Sequence, residues 1–337
     1  MHLSRDVGKL ISVVIVALAI FLFLLFVFPR QHANKLPATF FKTLSSRKLQ
    51  NGSASHRQSD FPVRILAHTW TNENVTHRNE TRRRLPKCIV IGVRKGGTRA
   101  LLEYINLHPS VKIAHKEPHF FDMNYSMGLK WYRSLMPYSE PNQITIEKTP
   151  KYFVWPEAPE RVHRMNSSIR LILILRDPVE RALSDYLQLN RKELLATDLG
   201  NEFEKLAINQ VTGKVNYVWN AIQTSLYHKH LINWLKYFPR NQILILDSNV
   251  LIENPLPVLQ KVESFLGLEP RITDDMFYFN ATKGFYCRTE ALGGCLGKFK
   301  GFPHPSLNPV VIEKLRAFFR PHNQVLYQIA GHDFKWA

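Results

Sequence analysis

Cys88-Ile-Val-Ile-Gly-Val-Arg-Lys-Gly-Gly-Thr-Arg-Ala-Leu-Leu-Glu-Tyr-Ile-Asn-Leu107 decides the fold. Its first six residues form an apolar run suited to a parallel strand covered on both faces, and Leu101, Leu102, Ile105 and His108 then recur at helical spacing. Between them lies a glycine turn, so the stretch reads as strand, anion loop and helix. Glycine lets backbone amides approach a ligand, and the new helix aims unpaired N–H groups and its positive dipole end at the same point. Gly92-x4-Gly97-Thr98 nearly makes a Walker A loop, but Thr98 stands where lysine belongs and the lysine comes earlier, at Lys95. No metal-holding partner for a nucleoside triphosphate is evident downstream. Fixed cations at Arg94, Lys95 and Arg99 would then neutralise the ligand, which suits a phosphosulfate; the bland alternative is a turn with solvated arginines.

Working outward, strand-like runs occur at Cys88 to Val93, Gln143 to Ile146, Arg170 to Leu175 and Gln242 to Leu246. Helical segments separate them near Leu129 to Leu135, Pro159 to Met165, Val179 to Leu189 and Tyr217 to Tyr237. Such alternation implies parallel βαβ units, hence an α/β, parallel-sheet, P-loop-like single domain over residues 85–337. Ligands of such sheets collect beyond the carboxyl ends of the strands, where Arg94 to Arg99 must lie.

The 337 residues carry a net charge of +18, which implies polyanionic company: nucleic acid, acidic polysaccharide or anionic membrane. Before Leu85 there are 13 Lys/Arg against 4 Asp/Glu, so half of the excess lies outside the domain. Leu10 to Phe28 is almost unbrokenly apolar, with Ser12 its one hydroxyl, and matches the roughly 20 residues that cross a bilayer. A membrane anchor is expected there, behind a tail at 1–9 and before a basic stem at 29–84; a cleaved signal peptide would have a shorter apolar core. The charges flanking the run argue mildly against a cytoplasmic tail. Sequons at Asn51, Asn74, Asn79, Asn124, Asn166 and Asn280, and the close spacing of Cys287 and Cys295 in a Gly-rich loop, favour a luminal body with a disulfide there and Cys88 left as a buried thiol.

A second strand ends in Arg176-Asp177-Pro178, and Ser184 follows two turns into the next helix. Arg176 and Ser184 together could hold another phosphate, or Arg176 and Asp177 could simply cap the helix. Glu117-Pro-His-Phe-Phe-Asp122 sets two carboxylates and an imidazole around an aromatic pair. Glu117 is the expected base, since sulfuryl transfer to a hydroxyl needs a proton acceptor, and nearby aromatics would raise its pKa. The alternative is ordinary loop acids beside core phenylalanines. Lys148 and Lys151 add cations after another strand, Trp219 and Asn220 open a long helix, and His228 and His230 lack metal spacing. Tyr278, Lys300, Gly301 and His304 surround the cysteine loop and would close over a nucleotide or form a cationic surface.

Taken together, the ordered motifs resemble the heparan sulfate glucosamine 3-O-sulfotransferases: the phosphate loop, Glu-Pro-His-Phe-Phe-Asp, Ile-Glu-Lys-Thr-Pro, Arg-Asp-Pro-Val-Glu-Arg-Ala-Leu-Ser-Asp-Tyr, Phe-Tyr-Phe-Asn-Ala-Thr-Lys-Gly-Phe-Tyr-Cys and Gly-His-Asp-Phe, from about Pro86 to Trp336. The resemblance implies a Golgi type II membrane protein that uses 3'-phosphoadenylyl sulfate without a metal and acts on heparan sulfate, not nucleic acid. It implies that Lys95, Gly96, Gly97, Thr98 and Arg99 hold the 5'-phosphosulfate and that Arg176 and Ser184 hold the 3'-phosphate. Tyr278 with Lys300, Gly301, Phe302, Pro303 and His304 would cover the nucleotide. Glu117 would deprotonate the glucosamine 3-hydroxyl, with His119 and Asp122 arranging the site and Lys95 and Lys148 stabilising developing charge. Arg99, Glu117, Asp122, Lys148, Lys151, Trp219 and Asn220 would contact the sulfated chain, and Cys287 and Cys295 would be bonded. Phe302 and Lys151 depart from the residues usual in that family. Rivals are transfer to another position of a glycosaminoglycan and a non-catalytic heparan-binding protein.

Overall fold

The computed structural model describes residues 80–190, 199–297 and 304–336. The tail 1–9, the apolar run Leu10 to Phe28 and the stem as far as Asn79 lie outside the described residues. Among those described, no helix is long and apolar enough to cross a membrane.

In chain order the strands are β1 (Arg82–Arg83), β2 (Cys88–Gly92), β3 (Val111–Ile113), β4 (Tyr138–Ser139), β5 (Ile144–Lys148), β6 (Arg170–Leu175), β7 (Ile243–Asp247), β8 (Phe277–Asn280) and β9 (Phe285–Arg288). The main sheet runs β3-β5-β2-β6-β7, with all its pairings parallel and β2 at the centre, as the α/β reading requires. Every residue of β2 is buried. Ile89 and Ile91 enter one core and Cys88 and Val90 another, because successive side chains leave a strand on opposite faces. From β2 the chain moves out to edge strand β3, returns to β5 and then crosses to β6. The carboxyl ends of β5, β2 and β6 therefore flank the point where the winding reverses.

Helices cover both faces: α1 (Thr98–Ile105), α2 (Gly128–Ser134), α3 (Ala158–Met165), α4 (Pro178–Leu189), α5 (Leu199–Ala207), α6 (Asn220–Thr224), α7 (Tyr227–Leu235), α8 (Ser248–Glu253), α9 (Pro255–Leu266) and α10 (Pro309–Ala330). Residues of α1 and α9 pack on Cys88 and Val90, whereas α3 and α7 pack on the opposite face. A third cluster joins α4, α5 and α6 to Leu315 and Phe319 of α10, whose later residues Leu326 and Ala330 belong to the core of α3 and α7. Gly92 admits the turn Pro150–Val154 to the centre of the sheet, since a Cβ there would lie 2.6 Å from the Cβ of Phe153.

Several sequence expectations shift. The continuous helix expected over Tyr217 to Tyr237 is two helices, α6 and α7, because buried Arg181 of α4 reaches into the break and takes the Ala221 carbonyl and the Ser225 hydroxyl. His108 lies beyond the end of α1, where its ring bonds the Glu269 carbonyl at 3.0 Å. The basic run placed at the end of the stem is fastened to the domain: β1 pairs antiparallel with β4, Arg83 donates to the Met136 carbonyl, and Arg84 donates to that of Ser139. β3, the antiparallel β8–β9 hairpin and α10 were not anticipated from the sequence pattern.

Glu147 of β5 is wholly buried, accepting from the Tyr132 hydroxyl at 2.8 Å and the Thr149 hydroxyl at 3.0 Å. Burial pushes its carboxyl from 4.5 up to about 7 against the pull of these donors and of Lys148. Between those values the folded chain binds more protons than the unfolded one, so this group's contribution to stability falls as pH rises from 4.5 through 7 and levels off above. Glu147→Gln removes that dependence. The wild-type urea midpoint, measured relative to that of the variant, should decline across the window; parallel profiles would mean that the carboxyl ionises as readily as in the unfolded chain.

Candidate active site

The loop after β2 is pressed against the tip of β6. Val93 donates its amide to the Ile174 carbonyl at 2.9 Å, and Gly96 turns back to the Val93 carbonyl at 2.9 Å. A Cβ on Gly96 would lie 2.5 Å from the Ile174 oxygen, so this close approach needs glycine. Lys95 and Gly97 adopt positive φ, 73° and 90°, and Gly97 is the N-cap of α1. The first-turn amides of that helix have no intrahelical acceptor and face outward at the loop. From the other side α4 supports the turn: Arg94 pairs with Asp185 at 2.8 Å, and Arg181 pairs with the same carboxylate at 3.0 Å. The Lys95 ammonium donates to Gln188 of α4 at 2.8 Å. Arg99 donates to the His115 carbonyl and pairs with Glu103, which also receives Arg288 of β9.

Just past β6, the neighbouring strand, lie Arg176 and Asp177. Asp177 caps α4, accepting from Val179 at 2.8 Å and Glu180 at 3.0 Å, with its carboxyl raised by burial and partly drawn back by those amides. Arg176 instead pairs with Glu180 at 3.1 Å. Glu180 also receives His304 at 3.0 Å, and that bond, more than the Arg176 charge, holds its carboxyl below the usual range. Ser184 is buried on the next turn of α4. β2 and β6 are parallel neighbours, so the loop after β2 and Arg176 after β6 lie at the same end of the sheet.

The third group comes from β3 and β5. Glu117 forms an ion pair with Lys148, the last residue of β5, and lies 3.4 Å from Nε2 of His119. Nδ1 of His119 bonds Asp122 at 2.8 Å. The four side chains thus form one chain of contacts in which Lys148 and Asp122 are buried, while the Glu117 side chain is 37% exposed and open to a substrate. Phe120 and Phe121, expected near Glu117, turn into the core against Tyr132 and Tyr152, as the alternative reading had them, and the contacts of the carboxylate are a cation and an imidazole.

Other expected residues sit apart from this cluster. Lys151 is exposed with its ammonium 5.8 Å over the Trp155 ring, and Trp219 packs between Tyr186 and Phe203 at the start of α6, followed by exposed Asn220. Tyr278 donates to Glu290 at 3.2 Å and touches Cys295, which is bonded to Cys287 as expected. His304 reaches the Arg176 pocket through Glu180, whereas Lys300, Gly301, Phe302 and Pro303 lie outside the described residues. His228 stacks on His322 and His230 bonds the Gln223 carbonyl. Sequence reasoning missed Asp185 and Gln188. The i,i+4 pair Arg181–Asp185 was the available signal.

Residues 85–327 match the sulfotransferase domain family. The chain is 49% identical over 296 residues to mouse heparan sulfate glucosamine 3-O-sulfotransferase 5, covering 84% of this chain and 86% of that one. It is 48% identical over 264 residues to human heparan sulfate glucosamine 3-O-sulfotransferase 3A1, covering 77% and 64%. Among solved structures, a sulfotransferase from Alicyclobacillus acidocaldarius superposes with a TM-score of 0.57 at 20% identity, covering 74% of this chain and 98% of that one, which supports the fold.

Gly96→Ala forces apart the loop and the β6 tip. Affinity for adenosine 3',5'-bisphosphate, measured calorimetrically, should fall at least about tenfold; undiminished binding would remove the loop from the anion site.

Proposed function

The chain belongs to the heparan sulfate glucosamine 3-O-sulfotransferase family, and from that premise we propose that it transfers a sulfuryl group from 3'-phosphoadenylyl sulfate to the 3-hydroxyl of glucosamine residues in heparan sulfate, with Glu117 as general base. The observation that carries this reading is the partly open Glu117 carboxylate, held by Lys148 and His119.

The residues fit the donor: a cation and helix-start amides after β2, and Arg176 with Ser184 after the adjacent strand. Lys95, Gly96, Gly97, Thr98 and Arg99 would hold its phosphosulfate end, and Arg176 and Ser184 its 3'-phosphate. Tyr278 and the segment Lys300 to His304 would cover the nucleotide. When bound, the donor supplies a sulfuryl group activated by its bond to phosphate. Glu117 receives the proton of the attacking hydroxyl. Lys148 fixes one carboxylate oxygen through the ion pair, and Asp122 holds the His119 ring that faces the other. Lys95 would stabilise charge developing on the leaving oxygen. Arg99, Lys148, Lys151, Trp219 and Asn220 would meet the sulfated chain, whose many anions match the basic surplus of the protein.

A Golgi membrane setting, with Leu10 to Phe28 as anchor and the domain in the lumen, is part of the same proposal. The Cys287–Cys295 bond suits an oxidising compartment, and the sequons are compatible with it.

The test is incubation with labelled donor and heparan sulfate, followed by disaccharide mapping. Label on the glucosamine 3-hydroxyl is expected; label confined to nitrogen or the 6-hydroxyl would overturn the acceptor assignment, and no transfer would favour a binding protein. Glu117→Gln should lower kcat by about a hundredfold or more while acceptor binding persists. An unchanged rate would remove Glu117 as the base.

A further inference from the structure

Resting on Glu117 as the base, a further assignment concerns what holds it in place. Glu117 and Phe120 bracket a sharp turn at His119, whose φ of 49° is a conformation that side chains disfavour. Such a turn persists only when its surroundings fix it. One end is fixed by Lys148, which takes the Glu117 carboxylate. The other is fixed in the core: the Phe120 amide donates to the hydroxyl oxygen of Tyr152 at 2.9 Å.

Tyr152 is fully buried, and its accepting oxygen leaves the phenolic proton for an acceptor of its own. Its backbone is held from the end of β5: the Tyr152 amide donates to the Thr149 carbonyl at 3.0 Å, and the Thr149 hydroxyl donates to buried Glu147 at 3.0 Å. Glu147 and Lys148 are consecutive in β5 and so leave the strand on opposite faces. Two adjacent residues of one strand thereby act on both ends of the four-residue segment that carries the base, Lys148 directly and Glu147 through Thr149 and Tyr152. Farther along, Arg161 of α3 donates to the Phe121 carbonyl at 2.8 Å, so the segment is also held where it leaves the site.

We propose that Tyr152, held through Thr149 by buried Glu147, is a positioning residue for the reaction: by accepting the Phe120 amide it sets the turn that delivers the Glu117 carboxylate to the substrate hydroxyl. Neither residue touches the substrate. Each acts through the backbone of the Glu117 segment.

Tyr152→Phe keeps the ring in the core and removes only the oxygen. The expected result is a fall in kcat of about tenfold or more, with affinity for adenosine 3',5'-bisphosphate within twofold of wild type, because the nucleotide loop rests on β6 and α4 instead. In a Glu117→Gln background the same substitution should cost nothing further, since a positioning group has no effect once the positioned group is gone. A kcat within twofold of wild type would overturn the proposal. So would a loss that persists undiminished in the Glu117→Gln background, or one matched by a loss of nucleotide affinity, since either marks general damage to the fold. If Tyr152→Phe does not fold, Glu147→Gln is judged by the same three criteria. Glu117→Gln alone separates the two ideas: if it is active, the base assignment fails and this inference with it, whereas an inactive Glu117→Gln beside a fully active Tyr152→Phe overturns only the positioning role.

Discussion

A single buried guanidinium organises the side of the site opposite the base. Arg181 is fully enclosed, and its donors go to Ser225, to the Ala221 carbonyl and to Asp185, with a longer contact to the Arg94 carbonyl. Enclosing a cation costs several kcal/mol unless its donors find partners, and here the partners belong to three separate segments. They are the helix that carries Ser184, the break between α6 and α7, and the backbone of the anion loop. Satisfying one charge thus fixes the loop, ends a helix and aligns α4. Asp185 serves both Arg181 and Arg94, so the geometry of the loop is tied to that of the helix by one carboxylate.

A common pattern runs through the site. Arg94 has Asp185, Arg99 has Glu103, Arg176 has Glu180, and Lys148 has Glu117. An arriving polyanion therefore meets cations already aligned by acids instead of a bare positive cavity. Such pairing lowers the raw attraction but fixes direction, and pre-aligned dipoles need no rearrangement during reaction. Of these acids only Glu117 is also proposed to take a proton, and it is the one flanked by a histidine as well as a lysine.

How much of this was legible in the sequence depended on range. The β2–loop–α1 unit announces itself because an apolar run, a glycine turn and a helical period lie side by side, and the structure places that unit at the sheet centre. Glu117 was legible as a carboxylate in an unusual segment, but its contact with Lys148 spans 31 positions and depends on β3 and β5 pairing, and a three-residue strand has too little pattern to be seen. The split of the helix after Trp219 was illegible for a related reason: local periodicity favours continuity, and only a side chain arriving from α4 opposes it. Glu147 carried no reading of its own in the sequence, since Tyr132, which helps enclose it, stands 15 positions away. The capping alternative holds for Asp177 beside Pro178, and it was legible because capping is a matter of adjacent residues.

The last long helix bears on how this protein can be shortened. α10 contributes Leu315 and Phe319 to one apolar cluster and Leu326 and Ala330 to another, and the Ile329 and Ala330 carbonyls at its end are held by Arg240. It works as a tie-rod between two halves of the interior. Trimming the carboxyl terminus into this helix to ease expression or crystallisation would unroof both halves at once.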